Sequence, residues 1–444
     1  MRSGQALNAR SQRARRAPRP ILLVLAAGVM VLLAACSGTR TGPPEASASP
    51  SPTGPTSTSN PNFIRVVVPG GAVQNGSVNP KTDWVTPFEE QSGCLVELRT
   101  ANTDADAYKD LTYGIGNSYY DAILASPTVA GQLMTAKAVA PLKTAQVTGY
   151  ASVSPRLRAA PPEVAGATTY GLPYLWDSYV TGYNSGQVKP APQTWTALFS
   201  PSSAAKHSGK ITVPNDPVTL ALAALYLKSA RPALGITGDP FELTSPQLAA
   251  AKQAVTAVHK DIGTWWNEDS TVIGQLGDGQ DVLGAVLTHQ LNELSRAGLP
   301  AAGVPNLTRA AGSGSTVAFL YSWMVSAHAH NPKCAYQFLS WMTSNSIQEQ
   351  AAAFTSAAPV VPTACRGAAA ANCAAYRFSS LPTARNVVFE HLPVANCAVA
   401  SQGTTQGATG AGNCTTYGQW QSTWKHITVA AGVPQPSPSP STGS

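Results

Sequence analysis

Residues 63–71 read FIRVVVPGG, a run of mostly β-branched residues that ends in Pro-Gly-Gly. Such a run is typical of a buried strand, and proline and glycine favour a loop at its end. Helix and strand patterns then alternate over residues 84–90, 95–98, 107–113, 121–124 and 129–136. This alternation predicts an α/β fold with a mostly parallel sheet, in which ligands bind at the carboxyl ends of the strands.

A second unit of the same kind begins near Val180. Its first predicted strand, over residues 209–213, stops at a Pro-Asn-Asp-Pro loop, and a long apolar helix follows over residues 219–230. The remaining predicted elements are a helix introduced by Thr244, two strands and a final helix, over residues 245–262, 282–287, 317–325 and 334–342. The body from residue 63 to 432, roughly 370 residues, exceeds what one hydrophobic core fills, so we expect two lobes.

The first 35 residues have the pattern of a secretory signal peptide. Six arginines and no acidic residue precede the uncharged run Ile21–Ala35, which is too short for a comfortable membrane span. Leu-Ala-Ala-Cys at residues 33–36 resembles the lipobox of bacterial lipoproteins, which implies that Cys36 carries a lipid and that the peptide is cut before it. An uncleaved N-terminal anchor remains the alternative, and the export route stays open.

Residues 36–62 are rich in Ser, Thr and Pro, and residues 433–444 repeat that composition. Segments of this kind cannot bury enough apolar surface to fold, so we expect a tether and a tail. The chain carries 29 basic and 22 acidic residues, but six of the arginines lie in the leader. Its removal leaves 23 basic and 22 acidic residues, a net charge of +1. This balance offers no argument for nucleic-acid binding.

Seven cysteines are present, and six remain once Cys36 is assigned to the lipid. An even number in an exported protein favours disulfides, although the pairing is not fixed by the sequence. Proximity favours Cys365–Cys373 and Cys397–Cys414, which leaves Cys94–Cys334. The cysteines lack the close spacing of a zinc site, so we predict no metal and no cofactor.

Several segments, in order, resemble the solute-binding proteins of ABC importers, and above all the spermidine/putrescine-binding family. The segments that are similar to family motifs are YYDAILAS (119–126), YGLPYLW (170–176), TWTALF (194–199), GKITVPND (209–216) and NPKCAYQFL (331–339). The resemblance implies a two-lobed periplasmic-binding-protein-like fold with a ligand cleft between lobes that crossing strands join. Lobe 1 would hold residues 63–181 and 316–358, and lobe 2 residues 182–315 and 359–432.

The same resemblance implies a site for a polyamine or related amine. Asp216 matches a carboxylate of the family's pocket, Tyr174 and Trp176 fall in the crossing segment, and Ser126 lies at a strand end. Asp177 is a possible additional acid, and Tyr321 stands where the family has a carboxylate. A second family acid falls at Thr219, and a pocket tryptophan falls at about Leu287.

With one matching carboxylate, the expected pocket suits a monoamine, an amino-alcohol or a neutral polar solute better than a tetra-amine. Each residue also has a structural interpretation, since Asp216 is a favoured residue type for starting a helix and aromatic residues fill cores.

The leading hypothesis is a lipid-anchored receptor on the outer face of the membrane that passes its ligand to an ABC permease. A sensor of the same fold and a receptor for a sugar or an amino acid are the alternatives from the same class. A surface hydrolase would require an acid pair or an activated nucleophile, and we identify no catalytic residue. A structural adhesion protein would lack a deep pocket.

Overall fold

The computed structural model describes residues 62–114, 119–236, 238–303, 316–383, 386–393, 396–398 and 411–433. The predicted signal peptide, Cys36 and nearly all of the tether and the tail lie outside these ranges. The described residues contain no helix that is both long and apolar enough to cross a membrane.

The strands of the described chain are β1 (Phe63–Pro69), β2 (Leu95–Ala101), β3 (Ala122–Ala125), β4 (Val164–Ala165), β5 (Thr168–Thr169), β6 (Gly171–Asn184), β7 (Ile211–Pro214), β8 (Ile262–Trp266), β9 (Leu283–Leu287), β10 (Ala301–Gly303), β11 (Thr316–Val325), β12 (Ala358–Pro359), β13 (Val387–Phe389), β14 (Asn396–Ala398) and β15 (Ala411–Asn413). Eleven of them form one sheet, whose main path runs β2-β1-β3-β11-β6-β9-β7-β8. The pairs β4–β5 and β14–β15 form separate two-stranded sheets.

The sheet is parallel at its two ends and antiparallel in its middle. Strands β1, β2 and β3 pair in parallel, and so do β7, β8 and β9. Between these sets, β6 and β11 pair antiparallel with each other and with their outer neighbours β9 and β3. The prediction of a mostly parallel sheet is therefore right for each end and wrong for the junction, because the crossing strands run against their neighbours.

The α-helices are α1 (Thr86–Ser92), α2 (Asp104–Tyr113), α3 (Pro127–Thr135), α4 (Pro155–Arg158), α5 (Thr196–Phe199), α6 (Pro201–Ala204), α7 (Val218–Ala230), α8 (Ser245–Val258), α9 (Asp269–Gly277), α10 (Thr288–Arg296), α11 (Pro332–Met342), α12 (Asn345–Thr355), α13 (Ala370–Ala375) and α14 (Tyr417–Ala430). Local signals explain several starts. Thr244 and Gln247 form a capping box at α8, and Asn331 caps α11.

Two large hydrophobic cores lie on either side of the crossing strands. The first packs Trp84, Trp176, Trp323 and Phe338 together, and the second packs the apolar helix α7 against α8. A smaller cluster on the other face of the first half joins α2 and α3 to the sheet. The presence of two separate hydrophobic cores along one continuous sheet agrees with the expectation of two lobes.

The C-terminal part is divided between the cores differently from the expected lobe limits. Buried side chains from Ala358 to Phe389 pack in the first core, whereas α14 packs in the second through Trp420 and Trp424. The expected assignment of all of residues 359–432 to lobe 2 is therefore corrected. The physical reason is the pairing of β12 with β6, which holds the start of this segment against the first half.

Two of the expected disulfides are present in the described chain. Cys94 is bonded to Cys334, and Cys365 is bonded to Cys373. Cys414 is also disulfide-bonded. The side chain of Cys397, its expected partner, lies outside the described residues.

Candidate functional site

A cavity of about 560 Å³ lies at the junction of the two halves of the sheet. The two parallel sets of strands run in opposite directions, because β3, β11, β6 and β9 are each antiparallel to the next. The two sets also lie toward opposite ends of the crossing strands, since β3 pairs beside the Gly171 end of β6, through β11, and β9 pairs with Tyr179–Tyr183 of β6. Their carboxyl ends therefore face each other across the cavity, and this is the strand end at which α/β proteins bind ligands.

Six of the polar side chains of the cavity wall follow the end of a strand by one to three residues. The residues concerned are Ser126 after β3, Asp104 after β2, Asp216 after β7, Asp269 after β8, His289 after β9 and Glu390 after β13. The position of each side chain thus follows from the direction of its strand.

All six residues that the sequence singles out for the site border this cavity, but they differ in how far they are exposed to it. Asp216 is open to the cavity and Tyr321 is half-buried. Tyr174 and Trp176 are 0% and 1% exposed. Trp176 packs on Tyr376 with ring centroids 5.2 Å apart, so it forms part of the core behind the wall.

Asp216 combines a structural and a cavity-facing role. Its Oδ1 accepts a hydrogen bond of 2.7 Å from the backbone N–H of Val218, at the start of α7. Its Oδ2 has no hydrogen-bond partner in the described part of the chain. Water reaches this carboxyl group through the cavity, yet protein surrounds it on the other sides, and this burial raises the pKa of Asp216 to about 6.

Asp104 faces the same space from the first half of the molecule. The hydroxyl of Ser126 donates a 2.7 Å hydrogen bond to Asp104 Oδ2 and accepts one from the N–H of Val129, so Ser126 also caps α3. Burial raises the pKa of Asp104, and the hydrogen bond from Ser126 opposes that effect.

Asp177, His289 and Asp269 form a charged triad on the other side of the cavity. His289 Nδ1 lies 2.6 Å from Asp177 Oδ2, and its Nε2 lies 3.0 Å from Asp269 Oδ2. Burial alone would lower the pKa of His289, but the two carboxylates outweigh it and raise the pKa to about 10. His289 is therefore an imidazolium at neutral pH, and both of its N–H groups are engaged by protein carboxylates.

The cavity wall is acidic. Seven carboxyl groups border it, from Asp104, Asp177, Asp216, Glu268, Asp269, Glu293 and Glu390. His289 is the one basic side chain among the described residues of the wall, which include no lysine and no arginine. The aromatic part of the wall comes from Tyr174, Trp176, Tyr179, Trp266, Phe319 and Tyr321.

The sequence pointed to Asp216, but the number of acidic residues that border the cavity was underestimated. The expected count of one clear carboxylate is wrong for the cavity, because Asp104, Asp269 and Glu390 also border it. The signal that could have found them is the presence of an acidic residue within three positions after the end of a strand. The position of the second family acid, Thr219, is fully buried, and its hydroxyl donates to Pro214 O at 2.8 Å, so it stabilises the start of α7 instead.

The described residues contain no group of three or more His, Cys, Asp or Glu side chains arranged to hold a metal ion. The acids of the wall are thus arranged around a space large enough for an organic molecule. A negatively charged, partly aromatic cavity stabilises small organic cations through ion pairs and cation–π contacts.

Comparison with known proteins gives consistent matches. Residues 83–376 match a family described as bacterial extracellular solute-binding protein. A putrescine/cadaverine-binding protein of Pseudomonas aeruginosa is 26% identical over 203 residues, which are 43% of this chain and 51% of that protein. The chain therefore spans about half the length of that relative.

Solved structures share the fold at low sequence identity. A spermidine/putrescine ABC transporter substrate-binding protein from Streptococcus pneumoniae has a TM-score of 0.61 at 13% identity, over 84% of this chain and 98% of that one. A binding protein from A. tumefaciens in complex with glucopine has a TM-score of 0.57 at 16% identity, over 74% and 93% of the two chains. Proteins of this fold thus bind ligands of different chemistry.

Proposed function

Because the chain belongs to the bacterial extracellular solute-binding proteins, we propose that it captures a small organic cation, a polyamine or related amine, and delivers it to the permease of an ABC importer. The family accounts for an extracellular or periplasmic location. The observation that supports the cationic ligand is the cavity wall, with seven carboxyl groups and no lysine or arginine among its described residues.

Each end of a diamine would find opposite charge in such a cavity. Asp216 presents to the cavity a carboxylate oxygen that has no hydrogen-bond partner among the described residues. The Asp177–His289–Asp269 triad carries two acids and one base, so it retains one net negative charge. The aromatic side chains of the same wall, including Tyr321 and Phe319, suit the methylene stem of the ligand.

The test is calorimetric titration of the mature chain with putrescine and spermidine, with glucose and glycine as neutral and zwitterionic comparisons. Asp216→Asn removes one charged contact and is expected to weaken amine binding tenfold to a hundredfold, as is usual for a lost charge-assisted hydrogen bond. Asp278→Asn, an exposed acid that does not border the cavity, is the matched control. Heat from glucose or glycine with none from the amines would contradict the proposal.

We also propose that Cys36 anchors the chain to the membrane through a lipid, which would keep the receptor near its permease. The support is the small-residue motif before this cysteine and the polar tether after it. Metabolic labelling with a fatty acid is expected to tag the wild-type chain and not Cys36→Ser. Equal labelling of the two would exclude this anchor.

A further inference from the structure

Glu390 is a buried carboxyl group at the cavity wall that lacks a protein partner. Its side chain is 6% exposed, and its Oε2 has no hydrogen-bond partner in the described structure. Glu390 nevertheless borders the cavity, so a molecule bound inside can supply a partner for it. Leaving a buried carboxyl oxygen unpaired is costly, so each such group in a folded protein requires an explanation. Glu390 differs from Glu163, Asp261 and Asp281, which also have an unpaired buried oxygen, because it alone of these four borders the cavity.

The backbone around Glu390 is held on both sides. Strand β13 pairs with β11, and the N–H of Glu390 donates to Ala318 O at 2.8 Å. The next residue, His391, lies 3.1 Å from Asp239 Oδ2 through its Nε2, and its ring packs on Phe241. The neighbouring residues therefore fix the backbone position of Glu390, whereas its Oε2 makes no hydrogen bond within the described residues.

The family match ends at residue 376, so Glu390 lies beyond the matched segment. The C-terminal part reaches the cavity through β13, which pairs with β11.

Two further carboxyl groups of the cavity wall, Asp104 of the first half and Asp216 of the second, affect the ionisation of Glu390. Burial, and then the charges of Asp216 and Asp104, raise the pKa of Glu390 well above its ordinary value. Three tyrosines complete the titratable surroundings: Tyr179 on β6, Tyr321 on β11 and Tyr417 on α14 all respond to the charge of Glu390. The cation of the wall, His289, is held by Asp177 and Asp269 and does not neutralise this cluster.

We propose that Glu390 is a ligand-contacting residue that, with Asp104 and Asp216, forms a three-carboxyl pocket for a primary ammonium group, and that binding of the ammonium group displaces a proton held by the empty pocket. This inference rests on the proposed function and adds the residue, the type of amine and the proton exchange.

The chemistry of the ligand follows from the number of acceptors. A primary ammonium group carries three N–H donors, which matches three carboxyl groups, whereas a quaternary ammonium group carries none. In the exchange, one carboxylic acid of the pocket loses its proton to solvent and becomes a carboxylate that pairs with the entering ammonium ion. No bond to the ligand forms or breaks, and the net charge of the pocket changes by the one proton released.

The sign of the pH dependence is fixed by this exchange. The ligand binds more tightly to the ionised pocket. The affinity therefore rises with pH as long as the empty pocket still holds a proton, and it becomes constant at pH values where the empty pocket is already deprotonated. The pKa of Asp216, about 6, indicates that the change is measurable between pH 5 and 8.

The test is calorimetric titration of the mature chain with putrescine at several pH values, in buffers of different ionisation enthalpy, which counts the protons released. The wild-type chain is expected to release a proton below pH 7 and to bind more tightly as the pH rises. Glu390→Gln is expected to bind tenfold to a hundredfold more weakly and to release fewer protons. Fully N-methylated putrescine is expected to bind at least tenfold more weakly than putrescine. Glu90→Gln, which changes an exposed acid that does not border the cavity, is the matched control and is expected to match the wild type.

The outcomes separate the two proposals. Equal affinity and equal proton release for the wild-type chain and Glu390→Gln would overturn this inference while the receptor function stands. Absence of amine binding to the wild-type chain would overturn both. If Glu390→Gln does not fold, Asp104→Asn tests the same pocket from an open position, and unchanged proton release in that variant would likewise overturn the inference.

Discussion

The imidazolium of His289 is expected to stabilise the folded protein in a pH-dependent manner. Asp177 lies on the crossing strand β6, and Asp269 begins α9, so the two ion pairs of His289 join three elements around the cavity. Asp177 also accepts hydrogen bonds from the N–H groups of Ser178 and Thr288. His289→Gln removes the charge and retains a polar side chain whose amide group still donates hydrogen bonds.

The magnitude follows from the pKa of His289, which rises from 6.5 to about 10. Each pKa unit corresponds to about 1.4 kcal/mol, so the full shift corresponds to about 5 kcal/mol. The side chain of Asp269 is 53% exposed, and solvent screening reduces its part, so we expect a loss of about 2–3 kcal/mol. A histidine with a raised pKa stabilises the protein fully below its unfolded pKa, and this stabilisation disappears as the pH rises through the folded pKa. The window therefore runs from about pH 6.5 to pH 10.

Urea unfolding of the wild-type chain and His289→Gln between pH 6 and pH 10 would measure the effect. The difference in unfolding free energy is expected to be about 2–3 kcal/mol at pH 6.5 and less than about 1 kcal/mol at pH 10. His426→Gln, which changes an exposed histidine on α14, is the control and is expected to show no such trend. A difference that stays constant across this range would mean that His289 acts through packing and would refute the electrostatic argument.

Two further predictions concern stability. Replacing Cys94 and Cys334 together by serine is expected to lower the free energy of unfolding by about 5 kcal/mol, and replacing Cys365 and Cys373 by about 2–3 kcal/mol. The difference follows from the sequence separations of 240 and 8 residues, because opening the longer loop gives the unfolded chain more entropy. Equal losses for the two double variants in chemical unfolding would contradict this account. Gly284→Ala is expected to cost about 1–3 kcal/mol, because its new Cβ would lie 2.7 Å from a backbone oxygen of β7, and an unchanged melting temperature would contradict the close approach.

Much of the fold could be predicted from the sequence because its signals are local. The β-branched run 63–68 and the apolar segment 219–230 lie in β1 and α7, and Thr244 caps α8 as its position indicated. The antiparallel junction could not be predicted in the same way, since it depends on pairing between β6 and β11, which are far apart in sequence. The packing of residues 358–389 in the first core could not be predicted for the same reason, since it also depends on pairing with a strand far away in sequence.

The candidate site was predicted in part for a related reason. Asp216 was proposed because it matches a carboxylate of the family's pocket, at the end of the segment GKITVPND (209–216). Glu390 follows β13, a strand of only three residues that pairs with β11. So short a strand has no recognisable pattern in the sequence, so the position of Glu390 could not be predicted from it. Trp176 was an obvious candidate by residue type, but its burial at 1% exposure shows that residue type alone does not separate a core aromatic from a ligand-facing one.

The distribution of the acids has a consequence for how the molecule responds to its ligand. Asp104 follows a strand of the first half, and Asp216 follows a strand of the second, so closure of the cleft brings like charges together when it is empty. A ligand shifts a conformational equilibrium only by the difference in its affinity for the two states, and a cation between these carboxylates interacts more strongly with the closed one. We therefore predict that putrescine reduces the radius of gyration of the mature chain in small-angle scattering at pH 7.5. Asp104→Asn and Asp216→Asn together are expected to weaken this response, because they remove both the repulsion in the empty cleft and the attraction in the occupied one. An unchanged radius of gyration in the wild-type chain at saturating putrescine would exclude a closure driven by these charges.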